Sequence, residues 1–153
     1  MEERGGEVLT RGLLGSFTHK LDSKGRMVLP ARFRDEMGSA VIATIGTNRR
    51  CIAVRSGEEW ERFDARLKAE YEANSKIGPV RTVILGYANA IDIDSAGRIL
   101  VPQELRNRLK IGVEVSVIGS GDHIQIWDTR SWNEWCDEIE PRFDELLDGI
   151  PGL

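Results

Sequence analysis

The sequence predicts a β-rich α+β fold in which two copies of one unit form a single pseudo-symmetric body. The first observation is an internal repeat: shifted by 72 residues, the chain aligns with itself without a gap from Gly15 to Phe63. The second is that both copies show the same order of short strands, a short helix and a longer closing helix. The third is the composition, because 153 residues with 41% hydrophobic and 30% charged side chains suffice for a soluble domain with a real core.

The repeat places residues with special backbone or packing properties in register. The identical pairs include Asp22 with Asp94, Gly25 with Gly97, Arg26 with Arg98, Pro30 with Pro102, Arg34 with Arg106 and Trp60 with Trp132. Chance does not readily give such an ungapped match. Two copies are too few for a solenoid, so the chain is expected to imitate a dimer.

Each copy is expected to begin with a strand, a tight turn and a second strand. The predicted strands are 17–21 and 27–29 in the first copy and 90–93 and 99–101 in the second. The turns start with Asp22 or Asp94, whose carboxylate can accept backbone N–H bonds. They end with Gly25 or Gly97, which can take the left-handed conformation.

A short helix, two more strands and a longer helix complete each copy. Pro30 and Pro102 suit the start of short helices over 31–37 and 103–109. Further strands are predicted over 41–45, 51–54, 113–118 and 123–127. Ser56 has capping-box spacing to Glu59, and Asp128 is a suitable N-cap for the second long helix. The aromatic residues of both long helices are interpreted as core packing rather than as a binding site.

These elements divide the chain into five segments. Residues 1–12 are polar, lie outside the repeat and are expected to be disordered and dispensable. The two units are predicted over 15–62 and 87–131, joined by a helical connector over 63–86. Residues 132–153 are expected to form an acidic helical tail, interrupted near Pro141.

Several functional classes find no support in the sequence. The net charge is −4, so a nucleic-acid role needs a local basic patch. Cys51 and Cys136 form no metal-binding or redox pair, and no apolar stretch suits a membrane span or signal peptide, so a cytoplasmic location is expected. Recognised catalytic motifs are absent, and the two histidines occupy non-equivalent positions, so we expect no enzyme, metal or cofactor.

Local charge distinguishes the two copies. The segment 15–34 has a net charge of +4, whereas its counterpart 87–106 has a net charge of −1. Lys24 stands at the predicted turn tip where the second copy has Ala96. A basic hairpin tip can contact DNA phosphates, and arginine can pair with guanine. From spacing alone, Arg26 and Arg98 fit equally well with DNA contact and with stiffening the turns through Asp22 and Asp94.

The two turn segments resemble the duplicated D-x-x-x-R elements of the MraZ family. They read Leu-Asp-Ser-Lys-Gly-Arg-Met-Val-Leu-Pro at 21–30 and Ile-Asp-Ser-Ala-Gly-Arg-Ile-Leu-Val-Pro at 93–102. The later stretch Ile-Gln-Ile-Trp-Asp at 124–128, followed by Trp132, is similar to the family's E-I-W-D segment. The resemblance covers roughly residues 13–137. Leu13-Leu14-Gly15 stands where the family usually has Met-Phe-x-Gly, which raises the hypothesis of a start at Leu13.

The resemblance implies a bacterial transcription regulator of the division and cell-wall gene cluster. It implies two AbrB-like swapped-hairpin units joined in a pseudo-dimeric β-barrel, and ring homo-oligomers that bind direct repeats in promoter DNA through the D-x-x-x-R loops. The implied location is the nucleoid. The residues expected to contact DNA are Lys20, Ser23, Lys24, Arg26, Ser95 and Arg98. The alternative is an antitoxin-like or other partner-binding oligomer without specific DNA binding.

Overall fold

The structure is a computed structural model that describes residues 12–153. Eight strands are described: β1 Ser16–Lys20, β2 Arg26–Val28, β3 Ala40–Ile45, β4 Ile52–Ser56, β5 Asn89–Asp92, β6 Arg98–Leu100, β7 Glu114–Gly119 and β8 Ile124–Asp128. The α-helices are α1 Ala31–Met37, α2 Gly57–Ala73, α3 Gly78–Gly86, α4 Gln103–Leu109, α5 Thr129–Ile139 and α6 Phe143–Leu147, with 3₁₀ turns at Ser75–Ile77 and Glu140–Arg142. The expectation that residues 1–12 are disordered falls outside the described residues, except at Gly12.

The strands form one six-stranded antiparallel sheet and one two-stranded ribbon. The sheet has the order β1-β7-β8-β4-β3-β5, and the ribbon pairs β2 with β6. Strands of the two copies are therefore neighbours: β1 pairs with β7, and β5 pairs with β3. The predicted closed barrel is wrong for the described residues, because β1 and β5 remain at the two edges of an open sheet.

A pseudo-two-fold axis relates the two copies. Ala53 pairs with Gln125 at the centre of the β4–β8 ladder, and Met27 pairs with Ile99 at the centre of the ribbon. Each of these is a pair of residues 72 apart. Two equivalent residues face each other across an antiparallel ladder only where a two-fold axis passes between them, so one axis accounts for both ladders.

The repeat is shifted by two residues over one strand in each copy. The β3 strand Ala40–Ile45 corresponds to β7 at Glu114–Gly119, an offset of 74, whereas β4 and β8 keep the offset of 72. The second copy has a longer connection before β7 and a shorter hairpin turn after it. In that turn Ser120 N–H donates to the carbonyl of His123, and in the first copy Gly46 N–H donates to Cys51. The ungapped alignment therefore pairs the wrong residues over this strand. The two extra residues lie in the connection before β7, and the turn after β7 is shorter by two.

The core lies between the inner face of the sheet and the ribbon. The inner positions of β3, β4, β7 and β8 are apolar and buried, and they meet Met27 and Ile99 of the ribbon together with Phe33 of α1 and Leu105 of α4. Because α1 and α4 occupy equivalent positions, each copy contributes one short helix to the same core. This burial fixes the ribbon and its two turns to the sheet.

The outer face of the sheet is covered by the longer helices. Arg55 on β4 is buried and its guanidinium lies 3.7 Å from the ring centroid of Phe63 on α2. The residue equivalent to Arg55 is Trp127, which packs on Trp132 and Trp135 of α5 at centroid distances of 5.2 and 5.5 Å. The aromatic residues of both helices thus serve packing, with Arg55 taking the place of a tryptophan in the first copy.

The two helix caps differ from each other. Ser56 Oγ accepts a hydrogen bond from Glu59 N–H, which confirms the cap predicted for α2. For α5 the predicted position is right but the predicted hydrogen bond is not. Asp128 is the residue before the helix, and its carboxylate accepts no bond from an N–H group of the helix. It accepts instead from Gly112 N–H at 2.9 Å, in the longer connection before β7.

Candidate nucleic-acid interface

The ribbon presents two arginines on one outward face. Met27 and Ile99 point into the core, so Arg26 and Val28 of β2 and Arg98 and Leu100 of β6 point outward. Arg26 is a diagonal neighbour of Arg98 in this ladder, which places their Cα atoms about 7–8 Å apart. The axis between the copies thus places both arginines on one exposed face, and each side chain is bonded to the aspartate of its own turn.

Each arginine is held by the aspartate that opens its turn. The Nε–H of Arg26 donates to Asp22 Oδ2 at 2.8 Å, and Asp22 Oδ1 accepts from the N–H groups of Lys24 and Arg26. Asp94 repeats this pattern with Arg98 Nε–H at 2.9 Å. The ion pairs use Nε, and within residues 12–153 the terminal Nη atoms of the two guanidinium groups make no hydrogen bond. Turn stiffening and an outward contact are therefore compatible roles.

The turn hydrogen bonds keep both carboxylates ionised. The N–H of Arg26 is the main cause that lowers the pKa of Asp22 from 3.8 to about 2, and the Arg26 side chain and the Lys24 N–H add to it. The pKa of Asp94 is lowered for the same reason, with Arg98 N–H as the main cause. At neutral pH both turns carry their ion pair.

The turns are clamped by the opposite copy. Gly25 has a φ of +85° and Gly97 a φ of +78°, the left-handed values expected at these positions. Leu29 N–H donates to the carbonyl of Gly97, and Val101 N–H donates to that of Gly25. The guanidinium of Arg106 lies against Gly25 and that of Arg34 against Gly97, where a Cβ atom would collide with them. Each turn therefore depends on a strand and a helix of the other copy.

The remaining predicted contact residues surround the ribbon unequally. Ser23, Lys24 and Ser95 are exposed within the turns, and Lys20 is exposed at the end of β1. Lys24 also borders a groove of about 470 Å³ that includes Asp92 of β5 and Arg106 of α4. Lys20 and Lys24 both belong to the first copy, so the basic side chains add to only one half of the face.

Two apolar residues on this face were missed by sequence reasoning. Val28 is 45% exposed and Leu100 is 53% exposed, and they alternate with the arginines across the ribbon. Side chains alternate between the two faces of a strand, and the neighbours of Val28 and Leu100 point into the core. The outward position of both residues can therefore be predicted once it is known which residues of the strand face inward. Exposed apolar groups beside arginines can contact thymine methyl groups.

Other kinds of site find no geometric support in the part of the chain that the structure describes. Among residues 12–153, no three His, Cys, Asp or Glu side chains are grouped to hold a metal ion. No helix in this range is long and apolar enough to cross a bilayer. His123, in the β7–β8 turn, has Nδ1 2.7 Å from Asp122 and Nε2 3.3 Å from the side-chain amide of Gln125, so its ring is held by neighbouring residues of the same hairpin.

A protein-family comparison covers both copies. The profile of the family described as "MraZ protein, putative antitoxin-like" matches residues 13–77 and 84–147, and each match contains one aspartate–arginine turn. The chain belongs to the MraZ family. The two matched ranges together account for most of the residues that the structure describes.

Individual relatives match most of the chain and nearly all of their own length. The chain is 37% identical over 141 residues to the transcriptional regulator MraZ of Arthrobacter sp. (strain FB24), covering 92% of this chain and 98% of the relative. A relative of the same name from Clavibacter michiganensis subsp. michiganensis is 38% identical over the same shares. One from Heliobacterium modesticaldum is 32% identical, covering 90% of this chain and 95% of the relative. These relatives are regulators, and the MraZ family is not enzymatic.

Proposed function

We propose that this chain is a sequence-specific DNA-binding transcriptional regulator whose contact surface is the outward face of the ribbon. The observation that carries the proposal is the pair of guanidinium groups of Arg26 and Arg98 on that face. A two-stranded β-ribbon fits the major groove of B-DNA, and the Nη atoms of an arginine can pair with guanine O6 and N7. The names of the MraZ relatives support the same role.

The surrounding residues take separate roles in this proposal. Lys20, Lys24, Ser23 and Ser95 contact phosphates and set the position of the ribbon, whereas Arg26 and Arg98 read bases. Asp22, Gly25, Asp94 and Gly97 form the turns. Lys24 strengthens binding on the side of the first copy.

The proposal includes the architecture and assembly that the family resemblance implies. Residues 15–62 and 87–131 form two AbrB-like units with swapped hairpins, which the pairing of β1 with β7 and of β5 with β3 supports. Residues 63–86 connect the units, and 132–153 form the tail. Several chains form a ring that binds direct repeats in the promoter of the division and cell-wall genes, at the nucleoid.

The test is a titration of the DNA upstream of the chain's own gene, read by fluorescence anisotropy. Replacing Arg26 or Arg98 by Ala should cost ~1–3 kcal/mol of binding free energy for each engaged turn. The control is Arg142→Ala, which removes an exposed arginine of the 3₁₀ turn Glu140–Arg142, outside both strands of the ribbon. Each variant must keep the oligomeric state of the wild type before affinities are compared. Full affinity of both ribbon variants for the promoter would contradict the proposal.

The antitoxin-like alternative has one specific support: the matching family is described as antitoxin-like. An antitoxin-like function would require binding of a partner protein. The same titration separates the two functions: a chain that shows no preference for its promoter over unrelated DNA would favour the partner-binding alternative.

A further inference from the structure

Two arginines outside the ribbon lie directly behind its turns. Arg34 belongs to α1 of the first copy, and Arg106 is its equivalent in α4 of the second copy. Both are half-buried, whereas the neighbouring arginines of the same helices, Arg32 and Arg108, are exposed. Within residues 12–153, neither Arg34 nor Arg106 has a carboxylate partner. Their role is therefore not that of a surface ion pair.

Arg106 holds the backbone of the first turn. A Cβ atom added to Gly25 would lie 2.9 Å from Cζ of Arg106, so the flat guanidinium fills the space beside this glycine. Arg106 Nε–H donates to the carbonyl of Val101 at 3.2 Å, and Val101 N–H donates in turn to the carbonyl of Gly25 at 2.9 Å. Arg26 is the next residue after Gly25. Arg106 of the second copy thus fixes the backbone that carries Arg26 of the first copy.

Arg34 makes the equivalent contact with the second turn. A Cβ atom added to Gly97 would lie 2.7 Å from Cζ of Arg34. Leu29 N–H, just before α1, donates to the carbonyl of Gly97 at 2.9 Å. Arg98 is the next residue after Gly97. Each copy therefore holds the ribbon arginine of the other copy.

Stability of the fold does not by itself account for Arg34. Its Nε atom is buried and has no hydrogen-bond partner within the described residues, whereas the Nε–H of Arg106 donates to Val101. A buried donor without a partner destabilises a fold, because it has lost its hydrogen bonds to water. A buried group of this kind calls for another role. The contact of Arg34 with the turn of Arg98 indicates that this role is to present Arg98.

We propose that Arg34 and Arg106 are positioning residues for DNA recognition, each acting through the ribbon arginine of the other copy. The inference rests on the proposed function and adds to it two residues that lie behind the turns. Arg106 sets the orientation of Arg26, and Arg34 sets that of Arg98. A guanidinium suits this role because it is planar and rigid, whereas the ammonium group of lysine is a point charge on a flexible stem.

Preorganisation explains how a residue behind the turn affects DNA binding. A turn that is held before binding loses less conformational freedom when DNA arrives, so affinity rises without an additional contact. Direct phosphate contact is the alternative role for Arg106, because Arg106 lines the same groove as Lys24. The contacts favour positioning: Arg106 packs on Gly25 and donates to Val101, and Asp92 in the same groove would repel a phosphate.

The test is a double-mutant cycle, read by anisotropy titration of the DNA upstream of the chain's own gene. Arg106→Lys keeps the positive charge and removes the planar group. It should lower promoter affinity by about 2- to 12-fold for each engaged turn, the range that ordering of one side chain on binding is worth. Affinity for unrelated DNA and the slope of log K against log salt should stay unchanged, because the charge is conserved.

The coupling between variants should follow the crossed pairs. In the Arg26→Ala background, Arg106→Lys should have no further effect, because the side chain that it positions is gone. In the Arg98→Ala background, Arg106→Lys should keep its full effect. Arg34→Lys should show the reverse pattern. A purely structural role would lower affinity equally in both backgrounds, so the crossed pattern separates positioning from a general loss of stability.

A matched variant controls for the substitution itself. Arg108→Lys makes the same change at an exposed arginine of the same helix and should bind the promoter like the wild type. Each variant must be folded by circular dichroism and keep the wild-type oligomeric mass. If Arg106→Lys does not fold, Arg34→Lys provides the same cycle against Arg98, since Arg34 Nε has no hydrogen bond to lose.

The contrary outcomes are distinct from one another. Full promoter affinity of both Arg34→Lys and Arg106→Lys would overturn the positioning role, and so would equal losses in the two alanine backgrounds. A loss of affinity for all DNA by Arg106→Gln, with a reduced salt slope and no loss by Arg106→Lys, would assign Arg106 to a phosphate instead. Full affinity of Arg26→Ala and Arg98→Ala would contradict the proposed function as well. Losses in both ribbon variants without crossed coupling would reject the positioning role alone.

Discussion

At the scale of single residues, the aspartates of the turns carry two functions that are usually considered separately. Asp22 satisfies two backbone N–H groups and orients Arg26 through its Nε–H. A side chain that is oriented before binding loses less rotamer freedom when it contacts a ligand. The ion pair is therefore consistent with a ribbon arginine that is preorganised for a base.

The lowered pKa of Asp22 leads to a pH dependence of stability. A carboxyl with a folded pKa of about 2 and an unfolded value of 3.8 stabilises the fold fully above pH 3.8 and loses this effect as the pH falls through 2. Urea unfolding of wild type and Asp22→Asn should differ most above pH 4, and the difference should shrink towards pH 2. The carboxyl carbon resonance of Asp22 should titrate near pH 2. A titration midpoint of Asp22 near pH 3.8 would mean that the hydrogen bonds of the turn do not stabilise the ionised carboxylate.

At the scale of elements, the interlocked turns predict that the two turn glycines are irreplaceable. Gly25→Ala combines a left-handed backbone with a collision against Arg106, so it should lower the free energy of unfolding by about 1–3 kcal/mol. Gly97→Ala should do the same against Arg34. The matched control is Gly38→Ala, which has a φ of +82° but whose added Cβ meets nothing within 4 Å, so it carries the backbone strain without the collision. Equal losses of stability at Gly25 and Gly38, measured by chemical denaturation, would refute the clamp.

The elements themselves could be predicted from the sequence, whereas their partners could not. Local signals place α1 at 31–37 and α4 at 103–109, because a proline starts each helix and turn residues precede it. The pairing of β1 with β7 joins residues about one hundred positions apart, and local propensity contains no information on it. The offset of 74 between β3 and β7 could not be predicted either, because only the hydrogen-bonded pairing with neighbouring strands fixes which residues are equivalent.

The candidate site was predictable to a similar degree. The turns with Arg26 and Arg98 follow from the repeat, but their position side by side requires the ribbon between copies. Val28 and Leu100 looked like ordinary strand residues until the ladder fixed which side of each strand faces outward. Arg55 was missed because a buried arginine over an aromatic ring has no sequence signature apart from its equivalence to Trp127.

At the scale of the whole molecule, the two copies in one chain can differ in sequence, whereas the two subunits of a symmetric dimer cannot. The two halves of a homodimer must carry the same charges, whereas the copies here differ in charge around the ribbon. Lys20 and Lys24 of the first copy correspond to Asp92 and Ala96 of the second. Arg26 and Arg98 form a symmetric part of the ribbon face. Lys20 and Lys24 form an asymmetric part, which adds positive charge on the side of the first copy.

This separation predicts the effect of moving one lysine across the axis. Lys24→Ala should weaken binding to all DNA sequences alike and reduce the slope of log K against log salt by roughly 1 for each engaged chain, as the loss of a phosphate contact does. Ala96→Lys should raise the slope by a similar amount. The double variant should recover the wild-type slope, because the equivalent turn lies beside the same ribbon. Anisotropy titrations at several salt concentrations, on promoter and unrelated DNA, measure these slopes. If Lys24→Ala changes the preference between the two DNAs while the slope stays constant, Lys24 reads bases, and the division between a symmetric reading surface and an asymmetric phosphate contact is wrong.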